Sequence, residues 1–269
     1  MAWGWFRRAP ILHVAGDTGS GPVVILVHGI ASSSVTWQNV VPLLEARHRC
    51  IRIDLLGFGG SPTPSDAEYT LEEHVASVAR TIRRLRLSEP YVLVGHSMGA
   101  LIAARYASRP RRRLQRLVLV SPPVYLSASE LSASGDRIRQ DFYLRGYQYL
   151  RTHQAFTLRN AAILARLMPI PNLLELNERN WTPFVKSLEH LIESQTAVSD
   201  LAQVAVPVDV VVGDFDEFSS PGALRVVGRM TGITMHRVAA STHLIRPRLA
   251  RAVASVIDSG AVTTPRTAS

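Results

Sequence analysis

The sequence predicts an α/β fold: a mostly parallel sheet with helices on both faces and one inserted helical segment. Three observations carry that expectation. Apolar, strand-like runs recur at about 22–28, 49–55, 91–96, 115–120, 206–213 and 233–239. Amphipathic stretches separate them, and such alternation builds a parallel sheet covered by helices. The alternation then halts between about Ser121 and Ala202, a gap too long for an ordinary crossover.

The elements follow in chain order. Val23-Val24-Ile25-Leu26-Val27-His28-Gly29-Ile30 reads as a buried strand ending in a His-Gly turn. Arg49-Cys50-Ile51-Arg52-Ile53 is the next strand, and Asp54 after it opens the turn Asp-Leu-Leu-Gly-Phe-Gly-Gly-Ser, read as structural. From Leu71 to Leu85, apolar residues at Leu71, Val75, Val78, Ile82 and Leu85 keep the helical period. Tyr91-Val92-Leu93-Val94 runs into Gly95-His96-Ser97-Met98-Gly99 and then the helix-like Ala100–Tyr106. This is a strand, a sharp turn and a helix with a serine at the apex. Small residues are needed two positions either side of the serine, because the turn holds it in strained geometry where a side chain would strike the neighbouring strand or helix. A serine that merely caps a helix is the plain alternative. After the strand Leu117–Val120 come helix-like patterns interrupted by Pro169, Pro171 and Pro183, with no core strand. Val208-Asp209-Val210-Val211-Val212-Gly213 resumes the sheet and leads to Asp214 and Asp216; Ile233–Val238 precedes Ser241-Thr242-His243-Leu244.

With these segments in this order, the chain resembles the α/β-hydrolase fold family, over most of its length. The resemblance implies a nucleophile at Ser97, an acid at the Gly213-x-x-Asp216 position and a base at His243, in the chain order of that fold. It also implies an oxyanion hole from the backbone amides of Ile30 and Met98, and a helical cap inserted over the site at 123–202. The core is then 1–122 with 203–260, and 261–269 is expected to be a disordered tail.

The chemistry explains these residue types. A serine hydroxyl is a poor nucleophile at neutral pH, so an imidazole must take its proton and return it to the leaving group. A carboxylate on the far nitrogen fixes the imidazole's tautomer and stabilises the transient imidazolium. Asp214 and Asp216 compete for that place, and the Gly-x-x-Asp spacing favours Asp216. Among the other histidines, His28 and His96 lie within the motifs as packing or turn residues. His13, His48, His74, His153, His190 and His236 have no motif around them.

Composition narrows the classes. With 46% hydrophobic residues, 17 glycines and 16 prolines in 269 positions, the chain is ordinary for one α/β domain with an insertion. No stretch reaches the roughly 18 to 20 apolar residues of a membrane span. The N-terminal Met1–Arg8 puts its arginines after a very short aromatic patch, the wrong order and length for a secretory signal. A cytoplasmic protein is expected. Cys50 is the single cysteine, in a strand, and reads as an inert buried thiol. The net charge of +9 invites a nucleic-acid reading, with Arg109-Pro110-Arg111-Arg112-Arg113-Leu114-Gln115-Arg116 the densest run. No recognition helix, zinc-ligand spacing or aromatic-basic ribbon accompanies it, so a solvated loop is expected. Lys186 is the one lysine, which makes the charge an arginine bias.

The functional expectation is a serine hydrolase cleaving a carboxylic ester through an acyl-serine, with lactones and thioesters as neighbours and no cofactor or metal. A serine in place of an aspartate at 97 argues against the epoxide-hydrolase and dehalogenase chemistry of similar proteins. Leu244, where carbon–carbon bond hydrolases usually carry tryptophan, makes that activity the runner-up. A ligand-sensing protein on the same fold is the alternative of another class. The insertion carries Phe142, Tyr143, Tyr147, Tyr149, Leu150, Phe156, Leu158, Ile163, Leu164, Leu167 and Met168. Some of these are expected to face Ser97 and select apolar acyl groups.

Overall fold

A computed structural model describes residues 8–126, 134–167 and 174–260. Seven strands form one sheet: β1 (Val14–Thr18), β2 (Val23–Val27), β3 (Arg49–Ile53), β4 (Tyr91–His96), β5 (Leu114–Val120), β6 (Val208–Gly213) and β7 (Ile233–Val238). Their spatial order is β1-β3-β2-β4-β5-β6-β7, parallel throughout except where β1 runs antiparallel to β3. The six expected strands are β2 to β7. β1 gave no apolar run because an edge strand buries little: Val14-Ala15-Gly16-Asp17-Thr18 is half exposed.

The sheet separates two cores. Val23, Ile25 and Val27 face one and Val24 and Leu26 the other; Leu117 and Leu119 oppose Val118 and Val120 in the same way. That is the period-two alternation of a strand with both faces buried. α2 (Leu71–Arg84) and α3 (Met98–Ala107) cover the first face, and α1 (Val41–Leu44) and α9 (Pro247–Gly260) the second. α2 starts in a capping box: Thr70 Oγ1 accepts from Glu73 N–H, and the Glu73 carboxylate accepts from Thr70 N–H.

Between β5 and β6 lie α4 (Ser134–Thr152), α5 (Gln154–Leu167), α6 (Trp181–Ser187), a continuing helical turn Leu188–Glu193 and α7 (Ala197–Leu201). Among the described residues of this stretch there is no strand. Pro183 was expected to break a helix, yet it occupies the first turn of α6, where a backbone N–H has no intrahelical acceptor to lose. Pro169, Pro171, Met1–Arg7 and the tail 261–269 lie outside the described residues. α8 (Pro221–Val227) completes the helices.

The basic run divides. Arg109 meets Glu72 at 3.0 Å, and the Arg111 guanidinium stacks 4.2 Å over Tyr106. Arg116 belongs to β5 and pairs with the buried Asp209 at 2.6 Å. Cys50 is fully buried, and burial pushes its thiol up to about 11. Among the described residues no helix is long and apolar enough to cross a membrane.

Candidate active site

The strand-to-helix turn holds Ser97 at φ 53°, ψ −124°, a conformation costing about 1–3 kcal/mol that persists only where the surroundings dictate it. Those surroundings are backbone. Ser97 N–H donates to Val120 O (3.0 Å), and its carbonyl accepts from Ala100 N–H (2.8 Å). A Cβ on Gly95 would lie 2.4 Å from Gly99 O, and one on Gly99 would lie 2.3 Å from His28 O. The two glycines therefore let β4, α3 and the end of β2 meet. The Ser97 hydroxyl makes no cap bond to α3, so helix capping is not its role.

His243 lies in the loop after β7. Its Nδ1 is 3.0 Å from Asp216 Oδ1, and both side chains are buried. A carboxylate accepts, so Nδ1 carries the proton and Nε2 is the basic nitrogen. The loop is held from three sides. Its His243 N–H donates to Glu217 Oε2 (3.2 Å), and the His243 carbonyl accepts from His96 Nε2 (3.0 Å). The Phe218 ring meets the imidazole edge to face at 4.8 Å. His96 is a packing residue: burial, then the neighbouring His243, holds it down at about 3. A Cβ on Gly213 would fall 2.2 Å from Ser241 O. The glycine of Gly-x-x-Asp is thus what lets the histidine loop lie against the end of β6.

β6 ends at Gly213, where Asp216 N–H bonds back to Gly213 O (3.1 Å). On a continuing strand, residues two apart would share a face; the turn separates them. Asp214 is exposed, 3.8 Å from Arg237, while Asp216 is buried against His243. Burial pushes the Asp216 carboxyl up. Against it, the charge and hydrogen bond of His243 and the Phe218 N–H on Oδ1 (3.0 Å) bring it down to about 2. Its Oδ2 and the Ser121 hydroxyl fall outside hydrogen-bond geometry, though the hydroxyl is near enough to contribute to that lowering.

Two backbone N–H groups are expected from the sequence to face Ser97. Met98 is the first residue of α3, so its amide has no acceptor within the helix and sits at the positive end of the helix dipole. The other is Ile30. His28 Nε2 accepts from Leu55 N–H (2.9 Å), which puts the ring proton on Nδ1, and Nδ1–H donates to Gly29 O (2.7 Å). A trans peptide points its N–H opposite its C=O, so pinning Gly29 O aims the Ile30 N–H away from His28. A Cβ on Gly29 would sit 2.9 Å from Ser97 Cβ: this turn lies directly against the strand-to-helix turn that carries Ser97. Asp54 braces it, accepting from Ser34 N–H (2.8 Å), Gly60 N–H (2.9 Å) and His13 (2.9 Å). That is the structural role read from the sequence, and Leu56 of the same turn is buried in the core.

Ser97, His243, His96 and Gly29–Ser32 open on one cavity of about 340 Å³ whose lining is mostly apolar. Tyr147 and Leu150 line it, as the sequence suggested. Phe142 does not: it is 72% exposed, and Tyr149, Phe156 and Ile163 also face outward. The side chains of Leu164, Leu167 and Met168 lie outside the described residues. Leu174, Leu176, Phe184, Leu188, Ile192 and Phe218 also line the wall and were missed. Phe184, Leu188 and Ile192 recur every fourth residue, a signal that Pro183 obscured. A larger groove of about 870 Å³, lined by Arg80, Arg83, Arg84, Arg109 and Arg111, contains none of the sequence-predicted site residues. Among the described residues, no group of three or more His, Cys, Asp or Glu could hold a metal ion.

A family model described as the alpha/beta hydrolase fold matches residues 22–244. Over 106 residues the chain is 39% identical to a probable lysophospholipase, BODYGUARD 3, of Arabidopsis thaliana, covering 38% of this chain and 21% of that protein. Over 128 residues it is 32% identical to a pimeloyl-[acyl-carrier protein] methyl ester esterase of Aeromonas hydrophila, covering 46% of this chain and 47% of the relative. The chain thus spans less than half the length of these curated relatives. An esterase from Exiguobacterium antarcticum superposes with a TM-score of 0.74 at 18% identity, over 92% of this chain and 94% of the other. At that identity the likeness is one of fold.

Proposed function

Because this chain belongs to the α/β-hydrolase fold family, we propose that it is a serine hydrolase that cleaves carboxylic esters through an acyl-serine intermediate. The observation that carries the reading is the buried His243 Nδ1–Asp216 Oδ1 contact of 3.0 Å on the wall of the cavity that Ser97 also lines.

In this reading His243 Nε2 takes the Ser97 proton as Oγ attacks the ester carbonyl carbon. Asp216 stabilises the imidazolium that forms. The carbonyl oxygen becomes an oxyanion facing the Ile30 and Met98 amides, preorganised donors of a kind whose removal costs roughly 3 kcal/mol each. The tetrahedral centre collapses as His243 returns the proton to the leaving alkoxide, releasing the alcohol. Water, deprotonated by the same imidazole, then cleaves the acyl-serine. The stretch 123–202 acts as a cap over a core of 1–122 and 203–260, and the apolar wall supports a small-molecule ester with an uncharged acyl group. The names of the relatives, a methyl ester esterase and a probable lysophospholipase, support the ester class.

The test is Ser97→Ala. It should abolish hydrolysis of p-nitrophenyl butyrate and labelling by a fluorophosphonate while the circular dichroism spectrum stays native. Labelling that persists on the folded variant refutes the assignment.

A further inference from the structure

The loop carrying the Ile30 amide is tied to the core at Gly29, through His28, and at Ser34, through Asp54. Between these ties Ala31 is held at φ 50°, a left-handed conformation that a residue with a Cβ keeps only under restraint. The restraint comes from the insertion. Glu175 N–H donates to Ala31 O at 2.8 Å, and Glu175 Oε1 accepts from the Ser33 hydroxyl at 3.2 Å. Glu175 is itself fastened, since its carbonyl accepts from Nδ2 of the buried Asn180 at 2.6 Å. Nearby, Arg179 ties the same segment to the core through Gly59 O and Ser61 O, both at 3.2 Å, without touching the oxyanion loop.

We propose that Glu175 is a positioning residue for the oxyanion hole: beside the backbone bond to Ala31, its carboxylate locks Ser33 from the inserted segment, and so holds the Ile30 amide in its donor-inward form. The inference rests on the reading of Ile30 as an oxyanion donor. Its physical content is a coupling between the contacts Glu175 makes with the oxyanion loop and the rate of the chemical step. An amide free to swing away loses strength against the transition-state oxyanion more than against the ground-state carbonyl, so the loss falls on kcat rather than KM.

Glu175→Ala and, independently, Ser33→Ala are compared with the intact chain on p-nitrophenyl butyrate. Each is expected to lower kcat by about three- to tenfold with KM held within about twofold. The double variant loses no more than either single one, because the two side chains act as one contact. Glu175→Gln, which keeps an acceptor, recovers at least half of the lost rate. Affinity for a trifluoromethyl ketone, whose hemiketal oxyanion occupies the hole, falls by the same factor as kcat, and affinity for a non-hydrolysable thioether analogue does not. Arg179→Ala loosens the segment without touching the loop and lowers thermal stability while kcat holds. The proposal is overturned if both single variants keep kcat within about twofold, if KM rises in place of the fall in kcat, or if Arg179→Ala lowers kcat as much as Glu175→Ala. Failure here is separable from failure of the serine-hydrolase reading, which would show as an intact chain that neither turns over esters nor takes the fluorophosphonate label.

Discussion

Replacing Asp216 with asparagine separates two functions that one carboxylate combines: setting the tautomer of His243 and stabilising its positive charge. Asp216 Oδ1 accepts both His243 Nδ1–H (3.0 Å) and Phe218 N–H (3.0 Å). An asparagine is expected to put its carbonyl oxygen there, since its NH₂ would face the Phe218 N–H, a backbone donor that cannot switch roles. The amide nitrogen then takes the Oδ2 position, near the Ser121 hydroxyl but outside hydrogen-bond geometry to it. The Nδ1–H tautomer therefore survives, and what is lost is charge. The fall of the carboxyl from 3.8 to about 2 despite burial corresponds to about 2 kcal/mol in favour of the charged form. A full charge pair at about 4 Å and an effective dielectric of about 20 gives about 4 kcal/mol. The kcat/KM of Asp216→Asn should therefore fall by about 30- to 1,000-fold, short of the roughly 10⁴-fold loss expected when the tautomer is inverted. Initial rates on p-nitrophenyl butyrate measure it, with Asp214→Asn as the control. A loss beyond about 10⁴-fold would refute the tautomer argument. A loss below about tenfold, or an equal loss for Asp214→Asn, would remove Asp216 from the site.

Other expectations follow from the same geometry. Across acetyl, butyryl, hexanoyl and decanoyl esters, kcat/KM should rise by up to roughly 0.8 kcal/mol per buried methylene and then level off or fall as the 340 Å³ cavity fills. Leu150→Phe or Ile192→Phe should shorten the preferred chain and Phe142→Ala should leave it unchanged; a preference that ignores the wall substitutions would show that the cavity does not select. Gly99→Ala puts a methyl 2.3 Å from His28 O and should cost about 1–3 kcal/mol or more in urea unfolding, with activity lost as Ser97 moves. For Asp216 the folded-state carboxyl lies below its ordinary value, so its contribution of about 2 kcal/mol is present above about pH 4 and is lost as pH falls towards 2. The stability gap between the intact chain and Asp216→Asn should shrink across that window, and a gap constant with pH would contradict the lowered carboxyl.

Alternating apolar runs and one insertion were enough to predict the doubly covered parallel sheet, because strands buried on both faces must be apolar wherever they occur. The glycines of Gly95-His96-Ser97-Met98-Gly99 and Gly213-x-x-Asp216 were legible for a related reason. Each stands where backbone meets backbone within about van der Waals contact, and the structure places Gly99 on His28 O and Gly213 on Ser241 O. What escaped a linear reading was whatever depends on a partner far along the chain. β1 has no pattern of its own and exists by pairing with β3. The amphipathic helices of the insertion announced an apolar face without saying which side would meet Ser97, so Phe142 faces outward while Phe184 and Leu188 line the cavity. The separation of Asp214 from Asp216 was decided by a turn closed through Gly213 O and by a histidine loop arriving 27 residues later. Local sterics are written in adjacent residues, so sequence by itself determined the strands β2 to β7 and the turn at Ser97. Side-chain direction on a helix, the choice between two carboxylates and the hold of Glu175 on Ala31 are set by contacts across the fold, and only tertiary packing decides them.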